Sequence, residues 1–226
     1  DTELNPNAIE LLNWNIQKGQ DPDWGDKLYA LGRSANIITL QEAPLVNAGW
    51  DDNVADQFHS FAPGVETRQS PTGVMTASTA VPLVQCNLSS REPLLLTPKA
   101  TIITEYALAG LNETLLVINI HAVNFSLGMR AFGQQLGIAA AVLERHAGPV
   151  IFSGDFNTWR QARFDFVQEM IEAHGLTAVA FEIDERKRAF GIALDHVYIR
   201  GLKVNAAETY DTDTSDHNPM RVWLSN

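Results

Sequence analysis

The stretch Gly148-Pro149-Val150-Ile151-Phe152-Ser153-Gly154-Asp155-Phe156-Asn157 decides the fold. Val150, Ile151 and Phe152 form a short apolar run bounded by turn residues, the pattern of a strand buried on both faces. The run ends in a carboxylate and an amide. Gly154 lets the backbone turn or approach another group closely. Asp155 and Asn157 are two apart, so an extended chain turns both side chains to one face. An acceptor and a donor then stand together at the rim of a sheet, within reach of a ligand. The same residues also suit a plain Asx turn after a strand, so their meaning depends on the rest of the chain.

Upstream, Ile9 to Ile16 reads as a first buried strand with Asn13 and Asn15 on one parity. Amides are disfavoured inside strands and need partners there. Asp21-Pro22 starts a helix, with Asp21 as N-cap and Pro22 at the first helical position. Trp24, Leu28 and Leu31 form its buried stripe, and Gly32 ends it. Ala35 to Leu40 is the next strand and runs straight into Gln41-Glu42. Asp51 to His59 reads as a polar helix with Val54 and Phe58 on one face, and Pro63 to Pro71 as loop. Gly73 to Ser78 and Leu83 to Cys86 read as neighbouring strands joined near Pro82, with Cys86 a small core residue.

Leu94 to Leu96, Ala100 to Tyr106 and Leu115 to Val123 follow as strands, with a hairpin connection at Leu111-Asn112-Glu113. Leu115, Val117, Asn119 and His121 share one face of the last strand, so that face turns polar toward its C-terminal end. Arg130 to His146 and Arg163 to His174 carry helical periodicity, stopped by Gly148-Pro149 and by Gly175. Ala193 to Ile199 is a strand with Asp195 inside it. Thr214-Ser215-Asp216-His217-Asn218-Pro219 leads into a final strand from Met220 to Leu224. Asp195 offers what a catalytic histidine needs, a carboxylate that fixes its tautomer and stabilises its protonated form.

The chain has 226 residues, 45% of them hydrophobic, enough to bury a large core without disulfides. Residues 1–8 read as a polar tail, loose over Asp1 to Asn7, and residues 9–226 as a single domain. The single cysteine cannot form an intrachain bridge. No run of apolar residues is long enough to span a bilayer and no signal peptide is evident, so a cytoplasmic location is expected. The net charge of -11 does not suit a long nucleic-acid interface, which needs basic patches. Arg186-Lys187-Arg188 is the densest basic cluster, and acids precede it. An acidic excess suits a site for a divalent cation and also serves solubility.

Several strand ends thus deliver a polar group each, and the ordered motifs resemble a known family. Trp14-Asn15-Ile16, Leu40-Gln41-Glu42, Asn119-Ile120-His121, Gly154-Asp155-Phe156-Asn157, Leu194-Asp195-His196 and Ser215-Asp216-His217 occur in the order of the endonuclease/exonuclease/phosphatase superfamily. The resemblance covers Ile9 to Leu224. Asn119 to Gly128 and Arg188-Ala189-Phe190-Gly191 look like the bacterial YafD-type branch. The resemblance implies an α/β fold: a four-layer αββα sandwich of two packed, mostly antiparallel sheets, DNase I-like, with helices outside and the site at one rim.

It also implies Mg²⁺-dependent cleavage of a phosphoester by an activated water, with Mn²⁺ as a substitute. By this resemblance Glu42 matches the principal metal ligand, Asn15 its neighbour in the metal and phosphate shell, and Asp216 a second acidic ligand. Asp155 matches the residue that orients or deprotonates the water, and Asn157 the amide that holds a phosphate oxygen. His217 matches the histidine on the phosphate, Asp195 its orienting carboxylate, and His121 a candidate general acid of DNase I type. Asn124 is matched to phosphate binding. Gln17 departs from abasic-site enzymes that carry an acid two positions after the asparagine, which weakens a second metal there.

The resemblance leaves the substrate open among nucleic acid, a phospholipid head group and a small phosphodiester, and implies no protein partner. A nuclease-type phosphodiesterase ranks first because of His121. A phosphomonoesterase acting on a phosphorylated inositol or sugar is the alternative; Lys18, Arg68, Arg130, Arg160 and Arg163 are its candidate phosphate cations, each also readable as a plain surface charge. An inactive binding module on the same fold is a further alternative, as is a membrane-facing loop at Phe125 to Met129.

Overall fold

The computed structural model describes residues 1–45, 57–66, 71–92, 98–124, 126 and 128–226. Two six-stranded sheets pack face to face. The first is built from β1 (Ile9–Asn15), β2 (Ile37–Pro44), β3 (Phe58–Glu66), β4 (Pro71–Ser78), β13 (Lys203–Thr209) and β14 (Met220–Ser225), in the order β13-β14-β1-β2-β4-β3. The second is built from β5 (Val84–Arg91), β6 (Pro98–Ala107), β7 (Thr114–His121), β8 (Val150–Asp155), β9 (Thr177–Ala178) and β12 (Asp195–Arg200), in the order β5-β6-β7-β8-β12-β9. Each sheet is mixed, with one parallel pair, β1–β2 and β7–β8, among antiparallel neighbours. A small ribbon of β10 (Arg188–Ala189) and β11 (Ile192–Ala193) lies beside them.

Strand parity sorts the apolar residues into layers. Leu11, Ile37, Leu115, Val117, Ile151, Val197 and Val222 fill the space between the sheets. Leu12, Trp14, Ile38 and Leu40 face the other way and pack with Trp24, Leu28 and Leu31 of α1 (Trp24–Gly32). Leu116, Ile118, Ile120 and Phe152 pack against Phe132, Leu136, Val167 and Ile171 of α2 (Arg130–Leu143) and α3 (Gln161–Ala173). Helix, sheet, sheet and helices therefore form the expected four layers, because both faces of each sheet need cover.

The inner faces change character along the strands. Leu11 gives way to Asn13 and Asn15, Ile37 to Thr39 and Gln41, Val117 to Asn119 and His121, and Ile151 to Ser153 and Asp155; all these polar residues are buried. The gradients end at one rim because register aligns them: Asn15 lies opposite Gln41, His121 opposite Asp155, and Asp195 opposite Asp155.

Several expectations are corrected. β4 and β5 are not neighbours; β4 pairs with β2 and β3, and β5 with β6, so residues 79–83 cross between sheets. Cys86 is exposed, because β5 is an edge strand. Phe58 and His59 open β3 instead of closing a helix, and β3 continues through Pro63 to Glu66, where a loop was expected. An edge strand tolerates Pro63 because its missing N–H interrupts no outer ladder. Residues 51–56, Arg68, and Leu94 to Leu96 lie outside the described residues, as do Phe125 and Leu127 of the expected membrane-facing loop.

The first residues are not loose: Leu4 is buried and bridges Leu108, and the Asp1 amine donates to Thr79 O at 2.9 Å. Asp23, not Asp21, is the N-cap of α1; Asp21 instead accepts the Asp23 N–H at 2.8 Å in an Asx turn. Helix α2 stops at Leu143, short of His146.

Gly154 meets the close approach read from the sequence. Its φ is +144°, and a Cβ there would lie 2.0 Å from Ile120 O in the neighbouring strand. Gly154→Ala is expected to destabilise the fold by roughly 2–4 kcal/mol, from backbone strain and overpacking together, measured by urea unfolding.

Candidate active site

Asp155 ends β8 directly opposite Asp195 of β12. It is buried, and its carboxylate is surrounded by oriented groups. Oδ1 accepts the Asn157 N–H at 2.9 Å, while Oδ2 accepts from Asn15 Nδ2 at 3.1 Å and Asn157 Nδ2 at 3.3 Å. Asn157 reaches back because its φ is +49°, a left-handed turn that Asn tolerates better than most residues. An extended chain was expected; the turn achieves the same convergence. Asn157 Nδ2 also donates to Ala122 O at 3.0 Å, so holding a phosphate oxygen would require it to exchange a partner.

His217 faces this carboxylate. Its Nδ1 lies 2.6 Å from Asp195 Oδ2, and its Nε2 lies 3.9 Å from Asp155 Oδ2. The backbone is held in place: Trp14 Nε1 donates to His217 O at 2.9 Å, and Ser215 Oγ donates to Asn15 O at 2.6 Å and accepts the His217 N–H at 3.2 Å. Burial opposes charge on His217, but Asp195 and Asp155 outweigh it and push the imidazole up to about 10. Burial pushes the Asp155 carboxyl up to about 6, against the pull of the His217 cation, with Asp195 adding to the rise. One carboxylate, Asp195, is thus paired with a cation, and the other is poised near neutrality, a division that suits acid–base chemistry.

His121 lies on the other side of Asp155, with Nε2 3.4 Å from Asp155 Oδ2. Lys99, at the start of β6, places Nζ 2.7 Å from that same Nε2. An ammonium only donates, so His121 Nε2 accepts and its proton sits on Nδ1. Burial, then Lys99, holds His121 well below the ordinary imidazole value. In that pairing His121 Nε2 is the acceptor of a Lys99 N–H, whereas the expected general-acid role calls for a proton on it. Lys99 was missed in the sequence, where its only signal was a lone cation opening a buried strand.

Glu42 sits in the irregularity of β2 between Leu40 and Ala43, with φ +52° and a partly exposed carboxylate, 3.9 Å from both Lys18 Nζ and His121 Nε2. Gln41, its neighbour, is paired with Asn15. Carboxylate and amide oxygens on adjacent strand ends match the donor set a hard divalent cation takes, and no short hydrogen bond ties up the Glu42 oxygens among the described contacts. Glu42 with Asn15 therefore fits a Mg²⁺ or Mn²⁺ site. Asp216 is exposed, and its N–H donates to Gln17 Oε1 at 3.3 Å. Atoms of Asp155, Asp195 and His217 also lie within 4.8 Å of one another, with the short His217–Asp195 contact inside that trio. Asn124 is fixed by its backbone, its N–H donating to Glu92 at 2.7 Å.

Of the basic residues considered as phosphate cations, Arg163 is fully buried. It donates to Val123 O at 2.7 Å, Asn157 O at 3.1 Å, Asn124 O at 2.7 Å and Ser126 Oγ at 3.0 Å. Its guanidinium also lies over the Phe132 and Trp159 rings. It clamps the segment after His121 to the turn after Asp155. Arg186 and Arg188, from the basic cluster, both pair with Asp184, and Arg186 donates to Asp195 O at 3.0 Å.

Residues 12–217 match the Endonuclease/Exonuclease/phosphatase family, and the chain belongs to it. It is 40% identical over 222 residues to a UPF0294 protein of Klebsiella pneumoniae (strain 342), covering 96% of this chain and 82% of that one. Among solved structures it is similar to ANGEL2, a 2',3'-cyclic phosphatase, with a TM-score of 0.74 at 12% identity over 99% of this chain and 96% of that one. It is also similar to a mannosyl-6-phosphatase of Bacteroides thetaiotaomicron VPI-5482, with a TM-score of 0.68 at 15% identity over 96% and 100% of the two chains. Among the described residues no helix is long and apolar enough to cross a membrane.

Removing the Arg163 guanidinium strands buried carbonyls, so Arg163→Met is expected to cost roughly 3 kcal/mol or more, read by urea unfolding. The raised His217 value sets a pH window. Its stabilisation is fully present below about 6.5 and lost as pH rises toward about 10. Unfolding free energies of the wild type and Asp195→Asn, compared at several pH values in this window, should converge as pH rises.

Proposed function

We propose that the protein is a divalent-metal-dependent phosphoester hydrolase, with a phosphodiester as the first substrate class. The observation that carries this reading is the Asp155 carboxylate, pushed up to about 6 and held by Asn15 and Asn157 beside the His217–Asp195 pair. A group so poised can take a proton from water near neutral pH. In the reaction, water oxygen bonds to phosphorus as the bond to the ester oxygen breaks, and the departing alkoxide takes a proton from the Lys99 ammonium on its side of the rim. Asp155 orients the water and accepts its proton. The His217 imidazolium, oriented by Asp195, donates from Nε2 to a phosphoryl oxygen. Glu42 and Asn15 would hold the metal, with Asp216 as a further acid. Bound there, Mg²⁺ or Mn²⁺ supplies charge neutralisation on the phosphoryl oxygens and a more acidic water.

A phosphomonoesterase is the second reading, and Lys99 favours it. A monoester carries more charge than a diester, and the ammonium at the rim stands where it can meet that charge. The nuclease reading rested on His121 as an acid and loses that support.

The test is hydrolysis of bis(4-nitrophenyl) phosphate beside 4-nitrophenyl phosphate, with Mg²⁺ or Mn²⁺. EDTA should abolish activity, and Glu42→Ala and His217→Ala should each lower kcat/KM by roughly 10²-fold or more. Metal-independent turnover, or turnover unaffected by either substitution, would sink the proposal. Preference for the monoester selects the second reading.

A further inference from the structure

The two sheets part company at one corner. β3 and β5 are edge strands of opposite sheets, and between them lies a cleft of about 600 Å³ lined by Ala62, Pro63, Gly64, Asn87, Ser89, Arg91 and Pro98 with Leu88. Facing sheets are normally filled by interdigitating apolar side chains. Ala62 is buried against Val74, Ala100 and Ile102, and the small residues Gly64 and Ser89 line the space beyond it. Side-chain bonds hold the edge strands together: Ser60 Oγ donates to Gln85 at 2.9 Å, and Asn87 Nδ2 donates to Phe61 O at 2.8 Å.

The cleft adjoins the candidate active site. Gly64 and Pro98 line it and also line the small hollow that holds Lys18, Glu42, Lys99 and His121. In-line displacement puts the departing alcohol opposite the attacking water. Asp155, with Asp195 and His217 beyond it, stands on one side of the rim. Lys99 stands at the cleft side, beyond His121. A chain with 27 acidic and 16 basic residues nonetheless places Lys18, Lys99 and Arg91 along this path, with Glu42 as the acid lining it.

We infer that this cleft seats the alcohol portion of the substrate, and that this alcohol is a small hydroxylated compound carrying an anionic group of its own, held by Arg91. The inference rests on the phosphoesterase reading for its orientation. The volume suits a small molecule. Asn87 Oδ1 and Ser89 Oγ supply acceptor and donor for hydroxyls, and Ala62, Pro63 and Leu88 supply apolar contact for a ring or carbon chain. Among the described residues the lining holds no aromatic platform on which a base would stack.

Calorimetric titration of the metal-free protein with glycerol 3-phosphate, myo-inositol 1-phosphate and fructose 6-phosphate, each beside its uncharged parent, tests the inference without turnover. At least one phosphorylated compound should bind roughly tenfold more tightly than its parent. Arg91→Gln should erase that preference, and Ser89→Leu should block binding by filling the cleft. Arg91 is exposed, and unchanged unfolding midpoints confirm that both variants remain folded. Three results overturn the inference: no compound binds, the preference survives Arg91→Gln, or an oligonucleotide duplex binds in competition at the same residues. Binding in a protein that hydrolyses no aryl ester would leave the cleft assignment standing and sink the phosphoesterase reading alone. Hydrolysis without such binding would do the reverse.

Discussion

A buried amide network between the sheets holds the site in place. Gln41 Nε2 donates to Asn13 Oδ1 in its own sheet at 3.0 Å and to Asn119 Oδ1 across the interface at 2.7 Å. Thr39 Oγ1 donates to Asn13 at 2.9 Å and meets Ser153 Oγ at 2.9 Å, while Asn119 Nδ2 donates to Met75 O at 2.7 Å. An apolar interface would tolerate sliding of one sheet on the other. Buried polar groups do not, because each lost partner exposes a desolvated donor or acceptor. The network therefore fixes the offset of the sheets directly beneath the rim. Asn15 from one sheet can then meet Asp155 from the other at 3.1 Å.

Above that floor the electrostatics follow from register. Asp155 and Asp195 are directly opposed on antiparallel strands, and two buried carboxylates so placed resist ionising together. His217 resolves the conflict by pairing with Asp195, which leaves Asp155 raised. The cost of this arrangement is contained by burial of the donors around it, with Arg163 fixing both adjoining segments from behind. Lys99 gives the far side a different character, with a cation against a neutral imidazole where an acid was expected.

The resemblance and the parity of the strands made much of this legible. Asn119 and His121 on one face of β7, Asp155 after an apolar run, and an Asp-His pair before β14 are each visible in the one-dimensional pattern. The errors share a cause. Leu83 to Cys86 reads as a neighbour of β4 and lies at the edge of the other sheet; Cys86 reads as buried and is exposed; Arg163 is readable as a surface charge and is fully buried. In each case the deciding contact exists only in three dimensions: pairing with β6 alone leaves β5 at the edge of its sheet, and the carbonyls of Val123 and Asn124, 40 and 39 residues away, bury Arg163.

By itself the sequence determined the alternation that sorts inside from outside, the glycine at 154 that admits a neighbouring strand, the family, and which strand ends carry carboxylates, amides and imidazoles. Those are local properties, fixed by side-chain period and backbone sterics. The tertiary structure alone decided that Lys99 meets His121, that Asp195 opposes Asp155, that Gln41 joins the two sheets, and that β3 and β5 leave a cleft beside the rim. Those depend on the register and offset of strands far apart in the chain. Proton affinities depend in turn on that spacing, because the interaction of charges is set by distance and burial and not by order along the polypeptide.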